Sequence, residues 1–469
     1  MHEEEAREAR IDGALTDRID LAIRAGIRDG RQAKTRARRR TARRWSIGAA
    51  AVLLIASCLV SIRVSPAFAA MLREVPGFAA FIDRVQQSNY DRSLSLAADN
   101  DYAQPVGLSD EHDGMKLTVE GILADDGRLV VYFDVRGEGA EDALRIGWPT
   151  VTDLQGKTLE AGIQSGTPGE YEKDGRKTGI YQGMVDVQMG TGVALPDEAV
   201  FKVRLGKESS VNAPRNDGGS LPPVALDTDP EFTVRFKIDH SRFEGLKQQI
   251  AMNQSITVAG QTVTFEKAEI SPLRIALYMS YPEGNEMQIF NAGDIQLVDD
   301  QGNAWKWTGG TGERNRPIQY FESSYFKQPR ELYVEGSWFT ALDAKSRKVV
   351  IDTKEKRILK APDDKIMLAN VVNGPSYTTL TIGIMGTRTD DNRGYALFGW
   401  DGFTDGAGKL HRFSENKADT VGSWRSTNDG VTLQEAYYYL ANEDYPQPLT
   451  FDVYEYPAYI VEPYRVRIR

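Results

Sequence analysis

Between Arg44 and Arg63 the chain runs through 18 residues without a charge, Trp45-Ser-Ile-Gly-Ala-Ala-Ala-Val-Leu-Leu-Ile-Ala-Ser-Cys-Leu-Val-Ser-Ile62. As a helix rising about 1.5 Å per residue, this run is about 27 Å long, close to the hydrocarbon thickness of a bilayer. A buried core helix is the alternative, but such a helix seldom presents an apolar surface all round with a dense basic block at one end. The block here is Arg31, Lys34, Arg36, Arg38, Arg39, Arg40, Arg43 and Arg44, with no acid among residues 31–44. On the other side Arg63 stands alone until Arg73, which Glu74 follows directly. Cytoplasmic loops carry the excess of Lys and Arg, so residues 45–62 are expected to form one transmembrane helix with the N-terminus in the cytoplasm and the rest of the chain outside. Ala67-Phe68-Ala69 fits the small-x-small pattern of a signal-peptidase site, yet the 44 residues ahead of the run exceed what a secretory signal needs, which favours a tether.

The segment ahead of the span, 1–44, is expected to be cytoplasmic and helical. Ile11, Leu15, Ile19, Ile23 and Ile27 recur every four residues and form a slowly drifting stripe, with Glu and Arg on the opposite face. Gly13, Gly26 and Gly30 each weaken such a helix by about 1 kcal/mol relative to alanine, so it would fold best against a partner. Those five apolar residues are the candidate partner-binding set. Beyond the span, 66–107 is expected as an extracellular juxtamembrane segment. Its amphipathic stretch (Phe68, Met71, Leu72, Val75, Phe78, Phe81, Ile82, Val85) is interrupted at Pro76-Gly77.

From residue 113 the apolar period changes to two. Leu129, Val131, Phe133 and Val135 alternate along one strand, Phe232, Val234, Phe236 and Ile238 along another, and Ile275, Leu277, Met279 and Tyr281 along a third, which is the pattern of half-buried antiparallel strands. An internal repeat accompanies them. Leu117–Ile122 and the turn Asp153-Leu-Gln-Gly156-Lys157 recur as Val263–Glu266 and Asp299-Asp-Gln-Gly302-Asn303, both displaced by 146 residues. A looser third copy runs from Leu380–Ile384 through Tyr395–Phe398 to Asp405-Gly-Ala-Gly408-Lys409. Asp at the start of a type I turn bonds the local backbone and Gly takes the left-handed conformation; calcium binding is the alternative use, but the dense oxygen ligands of an EF-hand are missing. The expected architecture is mainly β: a short N-terminal helix, one transmembrane helix, then three tandem antiparallel β-sandwich, immunoglobulin-like domains at 108–215, 226–353 and 357–469, separated by the Pro- and Gly-rich stretch 212–223 and by 354–364.

Composition narrows the function. One cysteine, Cys58, excludes a disulfide framework, a zinc ribbon or a CxxC redox centre, and the four histidines show no metal-binding spacing. Past residue 44 the chain nets −15, the overall −10 less the −3 of residues 1–30 and the +8 of residues 31–44, so no direct nucleic-acid partner is expected. No nucleophile elbow, phosphate loop or dinucleotide fingerprint occurs, and no catalytic residue, cofactor or metal ligand is assigned. The aromatic clusters at Trp305, Trp307, Tyr320, Phe321, Tyr325 and Phe326, and at Tyr437, Tyr438, Tyr439, Tyr454, Tyr456 and Tyr459, suit strand cores. Their other use is as a surface for a cell-wall glycan or peptide ligand of the ectodomain.

Several of these residues also carry a resemblance. Ser65-Pro-Ala-Phe-Ala69, Val75-Pro-Gly77 and Asp113-Gly-Met-Lys-Leu-Thr-Val-Glu-Gly-Ile122 resemble the domain of unknown function 4179 family of single-span surface proteins of Gram-positive spore formers. Glu269-Ile-Ser-Pro-Leu273, Ile295–Asp299, Tyr325–Tyr333 and Ala341-Leu-Asp343 are similar to a second uncharacterised domain that commonly follows it. The resemblance covers about residues 45 to 350. It implies β-sandwich ectodomains and a membrane anti-sigma-factor-like role beside an extracytoplasmic-function sigma factor. The His-x-x-x-Cys-x-x-Cys zinc module of many anti-sigma factors is absent, so any sigma contact would rest on the helix carrying Ile11 to Ile27. A surface binding or adhesion module with a simple tether is the alternative.

Overall fold

A computed structural model of the chain describes residues 78–469, apart from 89, 138–143, 160, 166–168, 174–175, 191, 208–227, 387, 389, 392, 414–420 and 429–430. The expected span at 45–62, the helix carrying Ile11 to Ile27 and the stretch 212–223 therefore lie outside the described residues. Among the described residues no helix is long and apolar enough to cross a membrane. Those residues fall in one compact unit, Pro76–Arg469, which is mainly β with two short helices at its start.

Helix α1, Phe78–Gln87, follows the Pro-Gly break and buries Phe78, Phe81, Ile82 and Val85, a one-sided stripe at helical spacing. Helix α2, Arg92–Asp99, starts at Asp91, whose carboxylate accepts the Ser93 backbone N–H at 2.7 Å. Then come three pairs of antiparallel sheets. In the first pair, Gln104–His112, Met115–Asp125, Arg128–Gly137, Arg176–Met189 and Ala161–Ser165 lie side by side, and the facing sheet centres on Glu198–Lys207. Phe133 and Phe201 meet between them with ring centroids 5.0 Å apart. The second sheet order is Gln248–Val258, Gln261–Ile270, Ile275–Ser280, Arg316–Phe321, Trp307–Glu313, opposed by a sheet centred on Leu332–Asp343. In the third, Ile366–Asn373, Tyr377–Gly386, Val431–Ala441 and Val421–Asn428 oppose a sheet that contains Leu449–Val453.

The alternating run Leu129 to Val135 is a strand, but Val130, Tyr132 and Asp134 on its other face are buried as well. The cause is helix α1, which lies on that face: Phe81 packs edge-on against Tyr132 at 5.3 Å, and the Arg84 guanidinium sits 5.0 Å from the same ring. Gly121 makes the approach possible, since a Cβ there would collide with the Phe81 ring.

The 146-residue repeat extends beyond the sequence match. The first two strands of each unit slip register between Pro105 and Leu108 and between Ala251 and Gln254; the next pair slips between Val119 and Gly121 and between Phe265 and Lys267. Each of these positions is displaced by 146. The turns agree too. Asp153 Oδ1 accepts the N–H groups of Gln155 and Lys157 at 2.9 Å each, Asp299 Oδ1 those of Gln301 and Asn303 at 3.0 and 2.8 Å, and Asp405 Oδ1 those of Ala407 and Lys409 at 2.9 Å each. Gly156, Gly302 and Gly408 have φ of 80°, 80° and 85°, the left-handed region that glycine enters without a Cβ penalty. These aspartates serve their own backbone.

The third copy needs correction. Leu380–Ile384 belongs to Tyr377–Gly386, which pairs with the hairpin strand before it, Ile366–Asn373, and with the distant Val431–Ala441, as Arg128–Gly137 pairs with Met115–Asp125 and the distant Arg176–Met189, whereas Met115–Asp125 pairs with its two neighbours in the chain. Tyr395–Leu397 is irregular and a strand starts only at Phe398. Only the Asp405 turn aligns as expected. The linear domain limits are also crossed. Glu231–Lys237 pairs with Glu198–Lys207, Lys348–Asp352 with Leu449–Val453, and the last strand, Tyr459–Arg467, with Leu332–Asp343 of the second unit. Ile460, Tyr464, Val466 and Ile468 accordingly belong to the second core.

Burial pushes the Asp299 carboxyl up, but bonds from the Asn303 side chain and the backbone N–H groups of Asn303 and Gln301 outweigh it and hold it below the usual carboxylate range. Its folded pKa is therefore below the unfolded one, and its contribution is present above the unfolded pKa and lost as pH falls. Asp299→Ala should cost about 1–2 kcal/mol at neutral pH in urea unfolding. The gap to wild type should close on acidification through the carboxylate range.

Candidate functional site

Arg128 opens the strand after the Asp125-Asp126-Gly127 hairpin and has nowhere to reach but inward, leaving it 1% exposed. Its guanidinium grips Asp186 bidentately, Nε to Oδ1 at 3.0 Å and Nη2 to Oδ2 at 2.7 Å. Nη1 donates to Asp91 Oδ2 at 2.6 Å and to the Leu273 carbonyl of the second unit at 2.8 Å. Asp91 is the N-cap of α2, so one carboxylate both starts the helix and neutralises the arginine. Burial opposes the guanidinium charge, but Asp186 and Asp91 together hold Arg128 well above its ordinary range. The excess negative charge is met by further donors, the Ser93 N–H on Asp91 and the Gln188 amide and Tyr90 hydroxyl on Asp186.

A second buried carboxylate completes the joint. Asp125 Oδ2 accepts the Ser271 hydroxyl at 2.6 Å and the Leu273 N–H at 2.9 Å, while Oδ1 accepts its own hairpin's Gly127 N–H at 2.9 Å. On the helix side, Ser93 Oγ accepts the Ser323 N–H at 2.6 Å, and Ser323 Oγ donates to the Ser271 carbonyl. Glu322 accepts the N–H groups of Arg92 and Lys306 at 3.1 and 3.0 Å, and Arg92 stacks on Trp305 at 3.9 Å. Leu96 of α2 enters the second core. Helix α1 is held separately, Arg84 pairing with Glu120 at 2.7 Å and donating to the Gly183 carbonyl at 2.8 Å. Burial lowers the Arg84 pKa and raises that of Glu120, so both partners are held against desolvation.

A cavity of about 270 Å³ opens beside this joint, between the first two units. Asp126, Lys247, Glu269, Arg274, Tyr278 and Tyr320 bring the polar chemistry to its wall. Burial pushes Glu269 up, but bonds from Lys267 and Tyr278 outweigh it and keep the carboxyl below its usual range, so it is ionised.

The residues singled out from the sequence for partner binding, Ile11, Leu15, Ile19, Ile23 and Ile27, lie outside the described residues. Of the twelve named aromatics seven pack into cores, Tyr325 and Phe326 from partly buried positions against the second one. Trp305, Tyr320, Phe321, Tyr438 and Tyr456 are buried, whereas Trp307 and Tyr454 are exposed. Sequence reasoning missed the joint, although charges inside apolar runs, Asp186 within Met184-Val-Asp-Val187 and Arg128 before Leu129-Val-Val131, are a readable signal for it.

Residues 38–137 match a family described as Domain of unknown function (DUF4179), and residues 247–360 match Family of unknown function (DUF5643). The chain carries both domains. The joint thus lies between them: Asp91, Asp125 and Arg128 come from the DUF4179 region, and Ser271, Leu273, Glu322 and Ser323 from DUF5643. The DUF5643 match does not reach Tyr459–Arg467, the strand that completes its central sheet. No curated protein matches the chain. One solved structure that resembles it is the crystal structure of the conserved domain protein from Bacillus anthracis, at 16% identity and a TM-score of 0.36, covering 58% of this chain and 87% of that one.

Arg128→Met strands two buried carboxylates and should cost about 3–5 kcal/mol in denaturant unfolding. Arg128→Lys keeps the charge but loses the bidentate fork, and should fall between that variant and wild type.

Proposed function

We propose that the chain is a single-span membrane regulator of the anti-sigma type. Its cytoplasmic helix, through Ile11, Leu15, Ile19, Ile23 and Ile27, docks in a groove of an extracytoplasmic-function sigma factor and holds it at the membrane. The span is 45–62, and the extracellular part is a row of three immunoglobulin-like sandwiches that senses the envelope. In helix-in-groove recognition the apolar stripe supplies affinity and the charged flank supplies register. Each buried Ile or Leu contributes about 1.5–3 kcal/mol, so five can offset the cost of ordering a glycine-weakened helix.

The observation that carries this reading is the joint around Arg128. Helices α1 and α2 are the first described elements after the apolar run, and both are locked into the β units, α1 by a half-buried ion pair, α2 by a buried one, and each by apolar contacts. A sandwich row merely tethered for adhesion has no need of such a lock, whereas a sensor does, because a displacement of its β units must reach the span. Release of the sigma factor would follow a pull through the span or cleavage near Ser65 to Ala70.

The test is co-purification of the full chain with the sigma factor encoded beside it, wild type against Ile19→Asp and Ile23→Asp. Capture by wild type and its loss in both variants, with a rise in the regulon's transcripts, is the expected result. Equal recovery from all three, or none from any, would sink the proposal. Orientation is checked separately: protease added to wall-stripped cells should digest the chain beyond the span and spare an N-terminal tag.

A further inference from the structure

The repeat places Arg274 at the position of Arg128, 146 residues on, but the two guanidinium groups meet different partners. In the first unit Val130 pairs with Asp186, whose carboxylate Arg128 grips. In the second unit the equivalent pair is Ala276 with Tyr320, and there Arg274 stacks 4.2 Å over a neutral ring. Arg274 instead reaches across to the first unit, donating to the Gln188 side chain at 3.0 Å and, more weakly, toward the Met189 carbonyl at 3.4 Å. It lies so close to Gly127 that a Cβ there would collide with the guanidinium. Among the described residues no carboxylate pairs with it. Where the first unit has Asp186, the second has a tyrosine and the edge of the 270 Å³ cavity.

Four charged side chains of the wall balance in sign. Arg274 and Lys247 are cationic, Glu269 and Asp126 anionic, and Lys247 and Asp126 face each other at a loose 3.6 Å, each more than a third exposed. A purely anionic guest would meet two carboxylates, and a purely cationic one two bases. A guest with one of each meets a counter-charge at both ends, Glu269 through the lone pairs that Lys267 Nζ, at 2.7 Å, and the Tyr278 hydroxyl leave open. Tyr278 and Tyr320, each with a cation over one ring face, line the wall between the charged ends, and the volume admits an amino acid or a dipeptide.

We propose that this cavity binds a small zwitterion of the amino-acid or dipeptide class, its carboxylate seated on Arg274 and Lys247 and its ammonium between Glu269 and Asp126. The guest supplies the carboxylate that the second unit lacks. Because Gly127 adjoins Arg128 and Ser271 bonds Asp125, occupancy bears on the joint that carries α2. The assignment deepens the proposed function by naming what the ectodomain senses, and rests on that reading only for the consequence of binding, not for binding itself.

The test uses the full-length chain in nanodiscs without any sigma factor, and ligand-observed magnetic resonance with alanine and alanylalanine of both hands at millimolar concentration. N-acetylalanylalanine and alanylalanine amide serve as end-blocked controls. Binding of at least one free zwitterion is expected, weakened about tenfold or more when either end is blocked. Arg274→Met should abolish it, and Lys247→Met, at an exposed position that leaves the fold intact, should weaken it. Equal binding of blocked and free forms, binding unchanged in Lys247→Met and Arg274→Met, or no binding of any zwitterion overturns the assignment. Since no sigma factor is present, that failure leaves sigma capture standing, and loss of sigma capture leaves ligand binding standing.

Discussion

One guanidinium, that of Arg128, ties together a helix cap, a strand of its own sheet and the backbone of the next β unit. A buried ion pair adds little net stability, because desolvating its charges costs about what their attraction returns. What it imposes is geometry. The fork of Arg128 fits Asp186 in one orientation only, and its remaining N–H groups then point at Asp91 and Leu273. Helix α2 cannot shift without leaving its own N-cap or uncovering a buried charge, and the second unit cannot slide without stranding Asp125 from Ser271 and Leu273.

The same constraint shows why two repeats with one register perform different tasks. Bulges, turns and even the Ser109–Thr118 and Ser255–Thr264 hydroxyl pairs repeat at a displacement of 146. Their outer faces do not. The first unit turns the outer face of Arg128–Gly137 to helices α1 and α2, which cover it with Phe81 and pair its arginine through Asp91. The second turns the equivalent face to the first unit, and its Arg274 meets an amide and a ring in place of a carboxylate. Duplication followed by stacking leaves one copy satisfied and the other with an open charge beside a cavity.

Strand exchange along the row has a similar origin. A sheet edge with unpaired N–H and C=O groups recruits whatever strand the chain brings to it. The edge beside Leu332–Asp343 is taken by Tyr459–Arg467, from the far end of the sequence, and Arg467 pairs with Glu331 as it arrives. Closing a long loop costs only slightly more than closing a short one, so a ladder of seven residue pairs and four core side chains suffice to hold the C-terminus there. The second unit therefore depends on the third for its completion.

What could be read without coordinates were the features set by short-range chemistry. The Asp-x-x-Gly turns at 153, 299 and 405 follow from one carboxylate bonding its own loop and one glycine at positive φ. The strands at 129–135, 232–238 and 275–281 follow from period-two burial, and the one-sided helix after Pro76-Gly77 from its Phe and Ile spacing. The 146-residue displacement was likewise visible, because both copies kept side chains at matching bulges and turns. Tertiary structure alone decided which strand fills which edge, that Leu380–Ile384 is the inner strand of its sheet, that α1 buries the second face of 128–137, and that Asp91, Arg128, Asp186 and Leu273 meet. These outcomes depend on partners tens to hundreds of residues away, and propensity and periodicity carry no information about which of several equally apolar edges a strand will reach.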